Sequence, residues 1–327
     1  MSETSHLPKT IGVIGTFVSD LIEPYAGPPT HSLGGIYYTL TYLAAVFDRG
    51  WRIRPVAMVG SDIFEQVCAR LARYPQIDLS LLRREERANT QVRLTYVTEN
   101  VRQEVTSEPM SPLPWDLVQE LLGCDVILVN FITGAELSPD HFARLSRQAR
   151  GLIYEDYHSL AWARDKQGKR SLWKNPQWQE WLSGADVVQM NEHEASSLLD
   201  CGLPLPPGAL EELAHQALQG RGKLLLVTLA ERGAFLAERV HSRVRTAVVP
   251  AATVERVVDP TGCGDAFAAG FLYHYLETAD ARGAVEFANQ VAAVNCALLG
   301  AEDMEGITAG LARLRRESAT NERSLAK

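Results

Sequence analysis

Residues 258–270 constrain the fold of this chain more than any other stretch, and their sequence is VDPTGCGDAFAAG. They predict a strand end, a tight glycine turn and the start of a helix. Pro260 fixes its own φ angle and favours an extended backbone for the residue before it. Gly262 and Gly264 allow dihedral angles and close approaches that a Cβ atom would prevent. The residues after Asp265 are mostly apolar helix formers, so we expect a buried helix whose N-terminus faces the turn.

The N-terminus of this helix is expected to bind an anion. Its first backbone N–H groups have no intrahelical partner, and the helix dipole places about half a positive charge there. Gly262, Cys263 and Gly264 would supply the donors, and the dipole favours the ionised form of Asp265. A carboxylate that accepts a hydroxyl proton, beside amides that stabilise phosphoryl charge, suits phosphoryl transfer. The alternative is an Asp that only caps a helix.

The stretch DPTGCGDAFAAGF resembles the C-terminal signature of the ribokinase-like (PfkB) carbohydrate kinase family, D-[ST]-T-G-A-G-D-x-F-x-x-G. The resemblance implies that Asp265 is the catalytic base and that the amides of Gly262, Cys263 and Gly264 form the anion hole. Cys263 stands where the family usually has Ala. The implied reaction is transfer of the γ-phosphoryl group of ATP to a hydroxyl of a sugar or sugar-bearing small molecule, with Mg²⁺.

Composition argues for a small-molecule partner. The 327 residues include 46% hydrophobic and 22% charged residues, and the formal net charge is -8. Nucleic acids and anionic membrane surfaces attract concentrated Lys and Arg, so neither is an expected partner. Five scattered cysteines without a C-x-x-C pair fit a reducing compartment and argue against structural zinc. No signal-like apolar segment or membrane-length apolar run is found, so a cytoplasmic location is expected.

The N-terminal part predicts a substrate site. The apolar run 11–17 is typical of a strand buried on both faces, followed by Asp20, a loop rich in Pro and Gly, and a helix over 37–47. The family has a comparable Asp that holds sugar hydroxyls and a Gly-Gly pair against the substrate. The resemblance therefore implies that Asp20, Gly34 and Gly35 bind the substrate. The alternative is an Asp that caps a turn and glycines that only shape a loop.

Two positions in this part depart from the family pattern. Thr39 replaces an Asn four residues after the second Gly, and with Tyr37 and Tyr38 beside it a bulkier, less polar pocket is expected. A second buried strand, 56–60, precedes a helix expected from Asp62 to about residue 74. There the family pattern ends in Gly, but this chain has Glu65. We interpret Asp62 first as a helix cap and second as a substrate contact.

A hairpin is predicted around residues 90–108. Apolar and polar residues alternate along 90–98, a turn follows at 99–100, and 101–108 continues, which is typical of half-exposed strands. The family carries a β lid that closes over the substrate and often pairs with the lid of another subunit. The hairpin is its expected place, and a homodimer through the lid is an expectation from the resemblance. The alternative is an edge strand of the main sheet.

Asn191 and Glu194 are the candidate magnesium residues. They follow the apolar strand 187–190, and the N-x-x-E spacing puts them one helical turn apart on a common face. An amide and a carboxylate there could hold the water shell of Mg²⁺. The pair resembles the family's N-x-x-E motif. The same pattern is also a capping box, with Asn at the N-cap and Glu at N3.

A nucleotide site is implied farther along the chain. The buried strand 224–228 precedes a segment that resembles the family's T-x-G-x-x-G pattern near the nucleotide phosphates, with Thr228 and Gly233 kept. Ala230 stands where Gly is usual, and its Cβ atom disfavours a close approach of the nucleotide to the backbone there. The family places adenine contacts around a helix that we expect over 289–300. Asn289 is the candidate residue.

A monovalent cation is the last ligand that the resemblance suggests. Many relatives bind one beside the anion hole, through the first Asp of the motif and carbonyl groups of a nearby loop. Asp259 holds that first position, and the loop would lie near residues 295–302. Activation by K⁺ is therefore a hypothesis. The alternative is that Asp259 only accepts a hydrogen bond from the turn.

The expected fold is a doubly wound α/β fold with a mostly parallel sheet flanked by helices and a small β lid, as one ribokinase-like domain over 1–327. A dinucleotide oxidoreductase is disfavoured because no G-x-G-x-x-G opens the chain, and no G-x-x-x-x-G-K-[ST] indicates a P-loop enzyme. A nucleoside or inositol kinase of the same family stays open. So does a non-catalytic sugar or nucleotide sensor, which the departures at Thr39, Glu65 and Ala230 motivate.

Overall fold

A computed structural model describes residues 8–98, 102–254, 256–298 and 306–314. In chain order its strands are β1 (Lys9–Ile14), β2 (Phe17–Glu23), β3 (Thr30–Gly35), β4 (Trp51–Gly60), β5 (Leu82–Glu85), β6 (Gln91–Tyr96), β7 (Arg102–Thr106), β8 (Val126–Asn130), β9 (Leu152–Asp156), β10 (Trp162–Arg164), β11 (Arg170–Leu172), β12 (Val187–Asn191), β13 (Leu224–Thr228), β14 (Ala234–Val240) and β15 (Arg243–Val249). The α-helices are α1 (Ile36–Val46), α2 (Phe64–Leu71), α3 (Trp115–Val118), α4 (Pro139–Gln148), α5 (Trp178–Gly184), α6 (Glu192–Leu198), α7 (Ala209–Ala217), α8 (Cys263–Thr278) and α9 (Ala281–Cys296). Residues 306–314 are also helical.

The main sheet has nine strands in the order β15-β14-β13-β12-β9-β8-β1-β4-β5. From β13 to β5 every neighbouring pair is parallel, and β14 and β15 add an antiparallel edge. Short apolar runs such as VILVN in β8 are buried along their whole length. Such runs suit a sheet that is covered on both faces. The predicted doubly wound, mostly parallel fold is confirmed.

Helices cover both faces of this sheet, and a separate hydrophobic core lies between the sheet and the helices on each face. Because successive side chains of a strand point to opposite faces, Val126 and Leu128 of β8 face one core, and Ile127 and Val129 face the other. The first core contains residues of α1, α2, α8 and α9, and the second contains residues of α3 to α7. No helix in the described ranges is long and apolar enough to cross a membrane.

A second, four-stranded sheet stands apart from the main one, in the order β3-β2-β6-β7, and we call it the lid sheet. The predicted hairpin is present as β6 and β7, although residues 99–101 lie outside the described part of the chain. The strand β7 pairs antiparallel with β6, and β6 pairs in parallel with β2, so neither strand belongs to the main sheet. The alternative of an edge strand of the main sheet is therefore wrong.

Half of the lid sheet lies in a segment that the sequence did not predict as strands. The run 11–17 does not form one strand, because β1 ends at Ile14 and the lid strand β2 begins at Phe17. A Cβ atom on Gly15 would lie 2.1 Å from Ile36 Cγ2, so only glycine lets the chain leave the main sheet there. The expected loop after Asp20 is also wrong, since β2 continues past it and β3 follows.

Two helix predictions need correction. The helix expected from Asp62 to about residue 74 spans only Phe64–Leu71, and Ile63 is its N-cap without a side-chain hydrogen bond. Asp62 accepts a hydrogen bond from the backbone N–H of Asn89 at 2.8 Å instead of capping α2. The helix expected over 289–300 begins earlier, at Ala281, because Asp280 caps it, and it ends at Cys296.

Asp186 ties several strands of the sheet together just before β12. Its carboxylate accepts hydrogen bonds from the backbone N–H of Ile153 at 2.9 Å and from Arg221 Nε at 2.5 Å. Lys223 Nζ lies 2.9 Å from the other carboxylate oxygen. The Asp186 side chain is only 4% exposed and that of Arg221 23%, whereas Lys223 is 60% exposed. The Asp186–Arg221 ion pair is therefore largely shielded from water, whereas the Lys223 side chain is not.

We expect Asp186→Ala to lower the free energy of unfolding by about 3 kcal/mol, because it leaves the Arg221 guanidinium without its buried partner. Lys223→Ala is the matched control and should cost less than about 1 kcal/mol, since an exposed ion pair contributes little. Urea unfolding of both variants measures the difference. Equal losses in the two variants would contradict this account of the ion pair.

Candidate active site

Polar side chains gather at the carboxyl edge of the parallel strands. Asn130 ends β8, Asp156 ends β9, Asn191 ends β12 and Thr228 ends β13. Carboxyl ends of parallel strands share one edge of a sheet, which is where ligands bind in open α/β folds. All four residues line one cavity, together with residues of the lid sheet and of the turn before α8.

Residues 259–264, which we call the α8 turn, form the tight turn that the sequence predicts. Gly262 is the N-cap of α8 and has a φ angle of 81°. A Cβ atom there would lie 2.8 Å from the Tyr38 ring, so glycine is required by both conformation and space. The backbone N–H of Cys263 donates to the Pro260 carbonyl at 3.2 Å. The Cys263 amide, one of the three predicted anion-binding donors, thus has a hydrogen-bond partner within the turn.

The Asp265 carboxyl group lies in the first turn of α8, where the helix dipole favours negative charge. Its Oδ1 accepts a short hydrogen bond from the Thr39 hydroxyl and a second one from Asn130 Nδ2 at 3.1 Å. Asn130 Nδ2 also lies 3.0 Å from the Thr39 hydroxyl, so the three groups form one network. Burial raises the pKa of Asp265 to about 6, and the Thr39 hydrogen bond opposes that shift.

Thr39 therefore does not have the role that the sequence suggested. It is fully buried and contacts the Asp265 carboxyl group rather than widening a substrate pocket. Of its two neighbours, Tyr38 lines the cavity and Tyr37 packs in the core. Glu65, another departure from the family pattern, is exposed on α2 and lies 3.5 Å from Arg84.

Two cavities meet at the α8 turn. The first, which we call the lid cavity, has a volume of about 520 Å³ and lies between the lid sheet and the turn. The second, which we call the α9 cavity, has a volume of about 770 Å³ and lies between residues 251–254 and α9. Their linings share Asn191, Thr228, Pro260, Cys263 and Gly264. The turn thus lies between two cavities that are each large enough for a small molecule.

The predicted substrate residues lie at the lid cavity. Asp20 and Gly35 line it, but Asp20 belongs to the lid strand β2 and not to the end of a main-sheet strand. Gly34 lies behind Asp20, since a Cβ atom there would be 2.1 Å from the Asp20 carboxylate. The glycine pair therefore shapes the wall of the cavity, and Asp20 supplies its carboxylate.

The predicted nucleotide residues lie together at the α9 cavity. Thr228, Gly233 and Asn289 all line it. The Asn289 side chain donates to the Pro250 carbonyl at 2.8 Å, which holds the segment 251–254 against α9. Ala230 has a φ angle of 52°, a left-handed conformation that explains why glycine is usual there and that costs Ala about 1 kcal/mol.

Asn191 and Glu194 form the capping box that the sequence left as an alternative to metal binding. Asn191 Oδ1 accepts from the Glu194 N–H at 3.0 Å, and Glu194 Oε2 accepts from the Asn191 N–H at 2.7 Å. Glu194 Oε1 also lies 2.9 Å from His158 Nδ1. Burial lowers the pKa of His158, but the hydrogen bond and the negative charge of Glu194 together raise it by more, so the pKa lies above its ordinary value.

These contacts limit how the pair could hold a metal ion. Three hydrogen bonds already occupy the Glu194 carboxylate, and within the described ranges no group of three His, Cys, Asp or Glu side chains is placed to hold a metal. Direct coordination by a full protein ligand set does not fit. A hydrated Mg²⁺ fits better, because that ion keeps several waters and needs few protein ligands.

Asp259 lines neither cavity. Its Oδ1 accepts a hydrogen bond from the Thr261 N–H at 2.8 Å, as the alternative to cation binding requires. Half of the loop suggested for a monovalent cation near 295–302, namely residues 299–302, lies outside the described part of the chain.

Sequence reasoning missed several cavity residues. The side chains of Asp156, His158, Arg170 and Glu104 all line the lid cavity. Arg170 Nη1 lies 2.9 Å from Glu104 Oε1, which joins β11 to the lid strand β7. Burial raises the pKa of Asp156 to about 8, so this carboxyl group is mostly protonated at neutral pH. Asp156 ends the buried strand β9 and His158 lies two residues beyond it, and this place at a strand end is the sequence signal for them, although a lone Asp or His there more often serves local hydrogen bonding.

Comparison with protein families gives one clear match. Residues 50–305 match the pattern of the pfkB family of carbohydrate kinases. An ATP-dependent ribose-1-phosphate kinase from Halopiger xanaduensis is 31% identical over 122 residues. That alignment covers 37% of this chain and 36% of the relative, so it spans about a third of each protein.

Solved structures share the fold at low sequence identity. Ribokinase from Giardia lamblia superposes with a TM-score of 0.74 and 18% identity, over 94% of this chain and all of that chain (100%). A pyrophosphate-dependent kinase of the ribokinase family, complexed with a pyrophosphate analogue and myo-inositol, gives a TM-score of 0.71 and 15% identity. It covers 91% of this chain and 98% of its own.

We expect Thr39→Val to raise the pKa of Asp265 above its value of about 6, because the variant removes a hydrogen bond to the carboxylate. Carbon-13 NMR titration of the aspartate carboxyl groups measures the shift. Thr41→Val is the matched control, since Thr41 is equally buried on α1 but donates to the Tyr37 carbonyl. An unchanged Asp265 titration in the Thr39 variant would show that this contact does not tune the carboxyl group.

Proposed function

Because the chain belongs to the pfkB family of carbohydrate kinases, which phosphorylate a sugar hydroxyl, we propose that it transfers the γ-phosphoryl group of ATP to a sugar or a sugar-bearing small molecule. The observation that carries this proposal is the position of Asp265. Its carboxyl group lies at the N-terminus of α8, where the lid cavity and the α9 cavity meet. An acceptor in one cavity and a donor in the other would bring their reacting groups to this point.

Asp265 is proposed as the general base. With a pKa of about 6 it is mostly ionised at neutral pH and can accept the proton of an acceptor hydroxyl. The first amides of α8, including that of Gly264, would stabilise charge on the phosphoryl group as it moves. Thr39 and Asn130 hold the carboxylate through the hydrogen bonds described above.

The α9 cavity supports a nucleotide as the donor rather than pyrophosphate. Its walls include the apolar side chains of Phe267, Ala292 and Val254, which suit the flat apolar face of a base. Its described lining contains no Lys or Arg, although pyrophosphate offers little but negative charge for recognition. The likeness to a pyrophosphate-dependent kinase concerns the fold alone.

The lid cavity supports an acceptor with several hydroxyl groups. Asp20, Glu104 and Asp156 place carboxyl groups in its walls, and carboxyl oxygens accept hydrogen bonds from hydroxyls. Val92 and Leu94 of the lid strand β6 add apolar surface. A nucleoside or an inositol presents the same groups and is the second candidate acceptor class.

Magnesium, when bound, would supply positive charge to the donor phosphates. Asn191 and Glu194 would hold its water shell beside the α8 turn, the role that their position supports. Activation by K⁺ near Asp259 and a homodimer through the lid sheet are further parts of the proposal. Both rest on the family resemblance.

The test of the function is a screen of ADP release from ATP against sugars, nucleosides and inositols, with pyrophosphate as an alternative donor. We expect turnover with ATP and at least one sugar-type acceptor. Turnover with pyrophosphate alone would contradict the proposed donor. Binding of acceptors without any transfer would favour the sugar or nucleotide sensor.

We expect Asp265→Asn to lower kcat by about 10²–10⁴-fold with nearly unchanged ATP affinity, because the variant keeps the shape of the side chain and removes the proton acceptor. Steady-state kinetics and ATP binding by calorimetry measure the two effects. Asp62→Asn is the control, since Asp62 lines neither cavity and accepts a hydrogen bond from the Asn89 backbone N–H. Turnover at the wild-type rate in the Asp265 variant would reject the assignment of the base.

Glu194→Gln should raise the Mg²⁺ concentration needed for the half-maximal rate, because a negative charge beside the hydrated ion is lost. Glu211→Gln removes a charge from an exposed position in the first turn of α7 and serves as the control. Titration of the rate with Mg²⁺ at saturating ATP gives both values. An unchanged magnesium dependence would leave Asn191 and Glu194 with the capping role alone.

A further inference from the structure

Two cysteines that the proposed reaction does not use lie side by side at the α8 turn. Sγ of Cys263 lies 2.7 Å from Sγ of Cys296. Cys263 is the first residue of α8, and Cys296 is the last residue of α9. A disulfide bond is about 2.05 Å long, so bond formation needs the two sulfur atoms to approach by only about 0.7 Å.

Other contacts already attach the α8 turn to the end of α9. The Cys296 carbonyl accepts a hydrogen bond from the Val258 N–H at 2.7 Å, just before the turn. Asn295 Nδ2 donates to the Thr261 carbonyl at 2.9 Å and lies 3.1 Å from Cys263 Sγ. These contacts between α8 and α9 therefore hold the two sulfur atoms next to each other without a bound ligand.

Both cysteines are open to small reagents. Each is partly exposed, and both line the α9 cavity. A molecule as small as hydrogen peroxide can enter a cavity of this size, and a nucleotide bound there would cover the two sulfur atoms.

We propose that Cys263 and Cys296 form an oxidation-sensitive thiol pair whose disulfide slows phosphoryl transfer. One thiolate attacks a peroxide oxygen, the O–O bond breaks, and the sulfur becomes a sulfenic acid while hydroxide leaves and takes up a proton. The second thiol attacks the sulfenic sulfur, the S–S bond forms, and the hydroxyl group leaves with the thiol proton as water. Two thiols are thus oxidised, and one peroxide is reduced to two waters.

The disulfide would act on the turn itself. Cys263 lies between Gly262 and Gly264, so a covalent link from its side chain pulls on the backbone that holds the moving phosphoryl group. A displacement of about 1 Å near the reacting groups can lower a rate about 100-fold. Formation of the disulfide is independent of the proposed function, whereas its effect on turnover rests on it.

The experiment oxidises the full-length protein with hydrogen peroxide and follows the link in two ways. Mass spectrometry of digested protein should show the two cysteine peptides joined, with the loss of two hydrogen atoms. Turnover should fall at least about 10-fold and return after treatment with a dithiol. ADP should slow formation of the link by covering the sulfur atoms in the α9 cavity.

Single substitutions identify the thiols responsible. Cys263→Ala and Cys296→Ala should each lose the link. After brief exposure to peroxide, each variant should keep the turnover rate that it had before the exposure. Cys201→Ala removes a partly exposed cysteine beyond α6 and should respond as the wild type does. A loss of turnover that persists in both variants of the pair would place the sensitive group elsewhere and overturn the proposal.

The outcomes separate this proposal from the proposed function. Absence of the joined peptides, or a joined protein with the turnover of the reduced protein, contradicts the thiol-pair proposal. A reduced protein that phosphorylates no acceptor contradicts the kinase assignment instead. In that case the joined peptides still decide whether Cys263 and Cys296 form the disulfide, and protection by ADP decides separately whether a nucleotide binds in the α9 cavity.

Discussion

The arrangement of this molecule depends on one electrostatic compromise, the placement of a buried carboxyl group at the positive end of a helix. Burial disfavours the charged form of Asp265, while the dipole of α8 and hydrogen bonds from Thr39 and Asn130 favour it. Each of these contributions comes from a different part of the fold. The main sheet supplies Asn130 through β8, the helix that follows the lid strands supplies Thr39, and α8 supplies its own amides. The carboxyl group consequently titrates close to neutral pH, where a proton acceptor can both gain and lose its proton.

The sequence predicted best those features that are set by local geometry. Gly262 has the positive φ angle that its turn requires, and α8 begins beside it, because constraints on dihedral angles act over a few residues. Buried parallel strands were also visible as short apolar runs. The lid strands β2 and β3 were missed because burial does not alternate from one residue to the next along either of them and the connection between them is rich in Pro and Gly. Neither periodicity nor burial marks such strands.

The chemistry of the site was harder to predict because it depends on long-range approach. Thr39 and Asp265 are 226 residues apart in sequence, and at the lid cavity Arg170 pairs with Glu104, which lies 66 residues away on the lid sheet. Asn191 and Glu194 show a different difficulty, since one spacing serves both a capping box and a cavity wall. Ala230 illustrates how a departure from a family pattern can be absorbed. At Ala230 the backbone keeps the left-handed conformation, which costs an alanine only a small amount of folding free energy.

The two cavities meet at the α8 turn and at the ends of β12 and β13, and this has a stereochemical consequence for the proposed reaction. On the proposed function, a donor and an acceptor held on the two sides of this point would react without an intermediate carrier on the protein, with the attacking and leaving oxygens on opposite sides of the phosphorus atom. A phosphoryl group made chiral with oxygen isotopes would then emerge with inverted configuration. A covalent phosphoenzyme, with two successive displacements, would return it with the configuration retained.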